Sequence, residues 1–527
     1  MIDEPVIRTE ALGGSPLSRA GRAGSLPQWY RPAPSDTDGW RTYARSVADS
    51  VSSNWHDELR DAIAPSGAAA ARLSRSAKGQ GVVVTTGQQP GLFGGPLMTL
   101  IKAISARALA DAIQDATGIP VAPLFWAATD DADFEEAAVV SVSLDGGARE
   151  LRLEQRAPAG TPMTRVMIND EIASLAATLR QACGSAPHRA FVDRAIDAFG
   201  DGATIGDAYI SLLRHVLEPL QIAVIDASHP DVARAGRPLL QNALTQGDAV
   251  AAAAARRTQE IVDAGFKPQV DDIAGLSLVF LNADGTKRRL PIAEGKAMEQ
   301  RRDTYLSSTV LLRPVLERAI VPTAAYVAGP GEFAYFAQVS AVADALSVAA
   351  PLVLPRWSAT IVEPRIQKIL DHLRLTVDDL ADPHAADGRV AREHLSSDAA
   401  DALAALRADM RTDIDRLRRS SDGLVPGAVL DGLTNAIEHR LQRTERRLLA
   451  AVKRREVDVM RQLGTARGSL FPHGVRQERK LASIPFLARY GQALLDRMLG
   501  DARAHARRLV SDGRAVSSSP VDAAASV

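Results

Sequence analysis

Residues 82–102 read VVVTTGQQPGLFGGPLMTLIK, a β-branched run that enters glycines, glutamines and prolines before a helical pattern begins. Successive backbone N–H groups in such a turn, followed by a helix N-terminus, make a site for an anion. Thr86, Gly87, Gln88, Gln89, Gly91, Gly94 and Gly95 are the candidate cradle, and Lys102 sits one to two turns into the helix with a charge to add. The spacing is neither G-x-G-x-x-G nor a Walker A loop, so neither of those mechanisms transfers to it. The same glycines also suit a tight strand-to-helix crossover that binds nothing.

Three further stretches carry reactive groups. TDDADFEE, residues 129–136, offers Asp130, Asp131, Asp133, Glu135 and Glu136 as a general base, as partners for a substrate amine, or as ligands for Mg²⁺. Asp131 and Asp133 are the best placed of these for a metal. The plain alternative is a solvated loop that caps the next helix, because acids favour helix N-termini. GPGEFAYFAQ, residues 329–338, sets Glu332 and Tyr335 three apart on one helix face, where both can address one ligand or pack into the core. FPHGVRQER, residues 471–479, adds His473, although a lone histidine in a loop is more often a surface residue than a catalyst. Cys183 is the single cysteine, with no base beside it in QACGSAPH. A disulfide within the chain and a Cys-x-x-Cys zinc site are therefore excluded.

The elements around these stretches place them together. Val82–Val84 reads as a buried strand ended by Gly87, Pro96–Ala116 as a helix, and Val121–Ala127 as a second strand. Strand, turn, helix, strand is the unit of a parallel sheet, whose ligands bind off the carboxyl ends of the strands. The glycine loop and the acidic run both fall at such ends. Ile222–Asp226 is another strand ending in an acid. Residues 276–281 and 287–292 flank Asn282-Ala283-Asp284-Gly285, a hairpin signal that interrupts the pattern and looks inserted. The pattern returns at Ala324–Ala328, GPGEFAYF, a helix to Leu346, and the strand 351–356.

Outside this region the chain changes character. Residues 11–38 are rich in Gly, Ser, Pro and Arg without a period and predict a poorly ordered arm or an extended strap on the surface, with 1–39 set apart. Helical spacing covers 40–73. From 396 to 464 a narrow apolar stripe (Leu403, Leu406, Met410, Ile414, Leu417, then Leu430 to Val459) predicts an antiparallel helical hairpin, broken at Gly423 and Pro426. The expected division is a core at 40–370 with insertions at about 137–205 and 255–312, and a helical arm at 371–465. A segment at 466–514 would return to the core, and 515–527 would be a disordered tail. Lys plus Arg is 62 and Asp plus Glu is 63, a net charge of −1 that gives no footprint for nucleic-acid or membrane binding. The acidic start, MIDEPVIRTE, is no signal peptide, and no apolar run nears the roughly 18–20 residues that span a bilayer. The expectation is a soluble cytoplasmic protein.

Four long blocks then carry a resemblance. TTGQQPGLFGGPLMTLIKA, PLFWAATDDADFEE, LLRPVLERAIVPTAAYVAGPGEFAYFAQ and SLFPHGVRQERKLASIPFLARYG resemble the signature blocks of the BshC family, the cysteine-adding enzymes of bacillithiol biosynthesis, in the family's order. The resemblance implies an α/β fold: a Rossmann-like, nucleotidylyltransferase-type parallel-sheet core with inserted connecting segments and a long coiled-coil arm that makes a homodimer. It implies a ligase joining the carboxyl of cysteine to the amine of glucosaminyl-malate. A carboxylate does not condense with an amine in water, so activation by ATP with Mg²⁺ is expected, and no structural zinc. On that reading Thr86 to Gly95 hold phosphate or malate, with Lys102 and His473 also on the binding side. Asp130, Asp131 and Asp133 hold metal or the amine. Glu332, Tyr335 and Arg356 line the other wall, with Arg356 suited to a carboxylate.

One departure stands out. The family's acidic block usually reads Glu-Asp-His-Asp-Phe, whereas here Ala132 stands in the histidine position of Asp130-Asp131-Ala132-Asp133-Phe134. It leaves two rivals open: a ligase or transferase on this scaffold for another amine or amino acid, and a homodimeric scaffold without turnover.

Overall fold

Val82, Val83 and Val84 have no exposed surface, and the strand they begin, β1 (Val82–Gln88), continues through the polar Thr85–Gln88. The computed structural model describes residues 4–271, 273–299 and 305–512. The tail expected at 515–527 lies outside them. β2 (Val121–Ala127) is buried along its whole length, as a strand covered on both faces must be. β3 (Ala223–Asp226) follows. An antiparallel sheet then intervenes, built from β4 (Leu276–Ala283), β5 (Thr286–Pro291) and β6 (Tyr305–Ser308) in the order β5-β4-β6. Its hairpin turns at Asp284 and Gly285, both at positive φ, as a two-residue hairpin loop requires. β7 (Thr323–Ala328) and β8 (Val353–Pro355) complete a five-stranded parallel sheet in the order β8-β7-β1-β2-β3.

That order contains a reversal. The chain moves outward from β1 through β2 to β3, and then β7 lands on the other side of β1. The crevice beyond the carboxyl ends of β1 and β7 is thus a topological switch point, the place where open α/β sheets bind ligands.

The helices hold the strand ends in place. α1 (Pro16–Arg22) and the turns after it bury Leu17, Leu26, Trp29 and Tyr30. The segment expected to be a poorly ordered arm is therefore packed. Its few large apolar side chains lie in one core cluster with α4 (Pro330–Ala345), and Tyr30 stacks on Phe333 with ring centroids 5.2 Å apart. Residues 40–73 are not one helix. Thr37–Ala48 and Gly67–Lys78 are separated by two four-residue helical turns. α2 (Leu97–Thr117) has Pro96 as its cap, so it begins one position after the start predicted at Pro96. α3 (Arg313–Ile320) leads into β7.

The chain divides into two compact units. One holds the parallel sheet and comprises Ile7–Val142, Glu150–Ile361 and the described residues from Glu478 onward. The other comprises Ser143–Arg149, Val362–Gln477 and the described residues up to Val6. The division falls at 361/362 and 477/478, nine residues before and twelve residues after the boundaries expected at 370/371 and 465/466.

The second unit contains the long helices α5 (Ser397–Ser420) and α6 (Gly427–Arg455), joined across Gly423 and Pro426 as the stripe predicts. Leu403, Ile414, Leu430 and Leu449 are buried. Arg407 reaches across to Glu445 at 2.6 Å, and Arg418 to Asp431 at 2.6 Å. Leu406, Leu417, Leu424 and Leu433 remain exposed. Among the described residues no helix is long and apolar enough to cross a membrane.

Candidate active site

A cavity of about 720 Å³ opens at the switch point, within the range of small-molecule sites. Its floor is the carboxyl ends of β1 and β2, with Gly87, Gln88 and Gln89 on one side and Asp130, Asp131, Ala132 and Asp133 on the other. The turn into α4 supplies Gly329, Glu332 and Tyr335. The inserted sheet supplies a wall with Phe280, Lys287, Arg289 and Tyr305. The insertion therefore builds the site rather than decorating the core.

The glycine loop divides into two halves with different work. Gly87, Gln88 and Gln89 line the cavity, but Gly91, Gly94 and Gly95 do not. A Cβ on Gly91 would lie 2.7 Å from the Gly95 Cα, and Gly94 and Gly95 adopt φ of 88° and 75°. Those glycines make a tight crossover, the non-binding alternative for this stretch. The first N–H of α2 is also committed, since Leu97 N donates to Leu481 O at 2.7 Å. Thr86 is buried, and its Oγ1 donates to Val327 O at 2.8 Å, tying β1 to β7. The backbone anion cradle expected over Thr86–Gly95 thus reduces to its first three cavity-lining residues.

Lys102 is buried, and its ammonium has three hydrogens to give. They go to Glu332 Oε2 at 2.7 Å, to Gln88 Oε1 at 3.1 Å and to Gly87 O. None is left for a phosphate. Because Lys102 can only donate, Gln88 must turn its oxygen to it, and Gln88 Nε2 then donates to Gln89 Oε1 at 3.3 Å. Gln89 is left to donate toward Asp131. Burial lowers the Lys102 pKa despite the pull of Glu332.

The carboxylates differ in the same way. Glu332 takes Lys102, the Gly329 N–H at 2.8 Å and the Tyr326 hydroxyl at 2.6 Å, so it is fully engaged as a structural anion. Burial works against its charge, but Lys102 and these hydrogen bonds prevail and hold its pKa below the ordinary value. Asp130 pairs with Lys287 at 2.8 Å. Asp133 caps a short helix by accepting the Glu136 N–H at 3.1 Å. Asp131 has no such counter-ion of its own. Burial and the neighbouring charge of Asp130 raise its pKa, eased in part by Lys287 and by the Ala132 N–H at 2.7 Å. Among the described residues no group of three or more His, Cys, Asp or Glu side chains is placed to hold a metal. Asp131 and Asp133 alone do not make a protein cage for Mg²⁺, which would have to arrive with a phosphate ligand.

The remaining candidates are split. Tyr335 and Arg356 line the cavity. Arg356, expected to meet a substrate carboxylate, instead forms a buried fork with Glu478, at 2.8 and 2.5 Å. His473 belongs to the other unit, where it is exposed at φ 53° and is not a cavity residue. Sequence reasoning missed Arg313, Lys287, Tyr326 and Arg479, all of which line the cavity. Arg313 and Glu317, four apart in LLRPVLER and 2.9 Å apart in space, were a readable helical pair. Lys287 was not readable, because nothing local says that the inserted hairpin folds back over the acidic run.

A reversed parallel sheet with a charged cavity over its switch point defines a Rossmann-like small-molecule site, here joined to a coiled-coil unit. Comparison with known proteins makes the class specific. The profile described as "Bacillithiol biosynthesis BshC, N-terminal Rossmann-like domain" matches residues 41–357, and "Bacillithiol biosynthesis BshC, C-terminal coiled-coil domain" matches 359–508. The chain belongs to the BshC family. Proteins named "Putative cysteine ligase BshC" from Solibacter usitatus and Koribacter versatilis are 30% and 29% identical to it. The alignments cover 80% and 84% of this chain and 82% and 86% of theirs. A third, from Symbiobacterium thermophilum, is 28% identical over 93% of this chain and 97% of its own length.

Proposed function

We propose that this chain is the cysteine ligase of bacillithiol synthesis, joining the carboxyl of L-cysteine to the amine of glucosaminyl-malate. The observation that carries the reading is the division of labour among the cavity's carboxylates. Three are engaged by protein partners, and Asp131 stands with a raised pKa and no dedicated counter-ion. A carboxylate in that state suits a base that takes a proton from a substrate ammonium.

The chemistry follows in order. ATP bound here would supply activation of the cysteine carboxylate, as an adenylate with loss of pyrophosphate or as an acyl phosphate with loss of ADP, and Mg²⁺ would be held by the nucleotide's phosphates. Asp131 accepts a proton from the glucosaminyl ammonium. The freed amine attacks the cysteine carbonyl carbon, the C–N bond forms, the phosphate-bearing oxygen departs with the C–O electron pair, and the departing phosphate takes the second proton from the nitrogen. Arg479 is exposed at the cavity and makes no ion pair among the described residues, so it suits the carboxylates of malate. Fixed donors on the cavity wall contribute by orientation and electrostatics. The reading carries with it a cytoplasmic enzyme and a homodimer formed through the arm.

Ala132 lines the cavity, so the departure from the family's block falls inside the site and not beside it. That observation favours a second reading, a ligase of the same type acting on another amine or amino acid.

The test is direct. Purified protein is incubated with glucosaminyl-malate, cysteine, ATP and Mg²⁺, and bacillithiol is sought by mass spectrometry. Product that vanishes with Asp131→Asn supports the ligase. Folded protein that makes none, but couples cysteine to another amine, sinks the first reading and supports the second.

A further inference from the structure

Tyrosine, arginine and carboxylate groups meet on one wall of the cavity, and an inventory of their hydrogens leaves one donor over. Arg313 Nη2 lies 3.0 Å from Tyr326 Oη and 3.2 Å from Tyr335 Oη. A guanidinium can only donate, so both phenol oxygens accept from it. The Tyr326 hydroxyl passes its own hydrogen to Glu332 Oε1 at 2.6 Å. The Tyr335 hydroxyl has no acceptor among the described residues.

Tyr335 lines the cavity and is only 7% exposed. Its ring stacks on Phe336, with centroids 5.6 Å apart, so it is not free to turn toward bulk water. Buried donors without acceptors are costly and rare, and such a donor beside a cavity points to a ligand. Burial raises the phenol's pKa, against a smaller pull from Arg313, and keeps the hydrogen in place at neutral pH.

We propose that the Tyr335 hydroxyl is a ligand-facing hydrogen-bond donor, positioned by Arg313, and that it serves an oxyanion. A phenol already accepting from a guanidinium is polarised toward donation, and an anionic oxygen gains most from it. The proposal rests on the ligase reading only for the identity of the candidate oxyanions, malate's carboxylates and ATP's phosphates.

The experiment places 3-fluorotyrosine at position 335 of the full chain and follows its ¹⁹F resonance. L-malate, inorganic phosphate and ATP are added separately, and no turnover is needed. A saturable shift with malate assigns a carboxylate, and one with phosphate and ATP assigns a phosphoryl group. Tyr335→Phe should then weaken that same probe by about tenfold or more in calorimetry, the scale of one hydrogen bond to a charged group. Arg313→Lys should weaken it in the parent protein but add nothing in Tyr335→Phe, and fully additive losses would remove Arg313 from the role. A resonance unmoved by all three probes overturns the proposal, as does a Tyr335→Phe protein that binds them as tightly as the parent. A clear shift with malate in a protein that makes no bacillithiol would sink the ligase reading and leave the donor assignment standing.

Discussion

Lys102 and Glu332 face each other across 2.7 Å, one from the helix after β1 and the other from the helix after β7. The pair bridges the two strand ends at the switch point, so it holds the crevice at its width. The Lys102 side chain is 3% exposed and the Glu332 side chain 20%.

Breaking one partner should therefore cost more than removing both. Lys102→Met leaves the half-buried Glu332 without its counter-ion, and a loss of about 3 kcal/mol, the lower end for a buried pair, is expected in urea unfolding. The double variant Lys102→Met, Glu332→Gln should recover most of that loss. Ligation should fall in both, because Gln88 is no longer fixed by Lys102. Equal destabilisation of the single and double variants would show that the pair does not act as a unit.

Arg479 should behave as a binding residue and not as part of the frame. Arg479→Ala is expected to raise the KM for glucosaminyl-malate by about tenfold or more, with kcat little changed and the urea midpoint unmoved. A fall in kcat at constant KM would move Arg479 from binding to the chemical step.

The arm makes a separate prediction. Leu406, Leu417 and Leu433 are exposed on long helices whose own pairing buries few leucines. A second copy packed on that face would cover them. Light scattering should give twice the chain mass, and Leu417→Arg with Leu433→Glu should give the single chain mass with helicity retained. A monomeric parent protein would end the homodimer reading.

The sheet was legible in the sequence because its strands are short, apolar runs that end in chemistry-bearing turns. β2 begins and ends where its residue types predict, and the Asp284-Gly285 turn follows from one tetrapeptide. The arm was legible from its stripe. The two halves of the glycine loop were not, since a glycine needed for positive φ and one needed beside a ligand are the same letter. Arg356 shows a related blindness. An arginine after a strand suits any carboxylate, and only folding shows that Glu478, 122 residues away, takes both of its Nη nitrogens. The packed segment at 16–30 misled in the opposite sense, because four apolar anchors outweigh a disorder-like composition once α4 offers them a surface.

Asp131 ties function to stability with opposite signs. Burial and Asp130 raise its folded pKa above the unfolded value, so the protonated form favours the native state. That contribution is fully present below the unfolded carboxylate pKa of about 4 and is lost as pH rises through the folded value. At neutral pH the ionised Asp131 therefore costs stability. Asp131→Asn should abolish ligation by about a hundredfold or more and yet raise the melting temperature at pH 7. The gain should shrink as pH falls and vanish where the parent carboxyl is protonated in both states. In the parent enzyme the ligation rate should climb through a pKa above the ordinary carboxylate range. Lys287→Met should move that limb to higher pH, since Lys287 is one of the groups pulling it down. An Asp131→Asn variant that is less stable than the parent at pH 7 and no more so at pH 4 would mean that Asp131 is a structural anion, and the base would have to be sought elsewhere in the cavity.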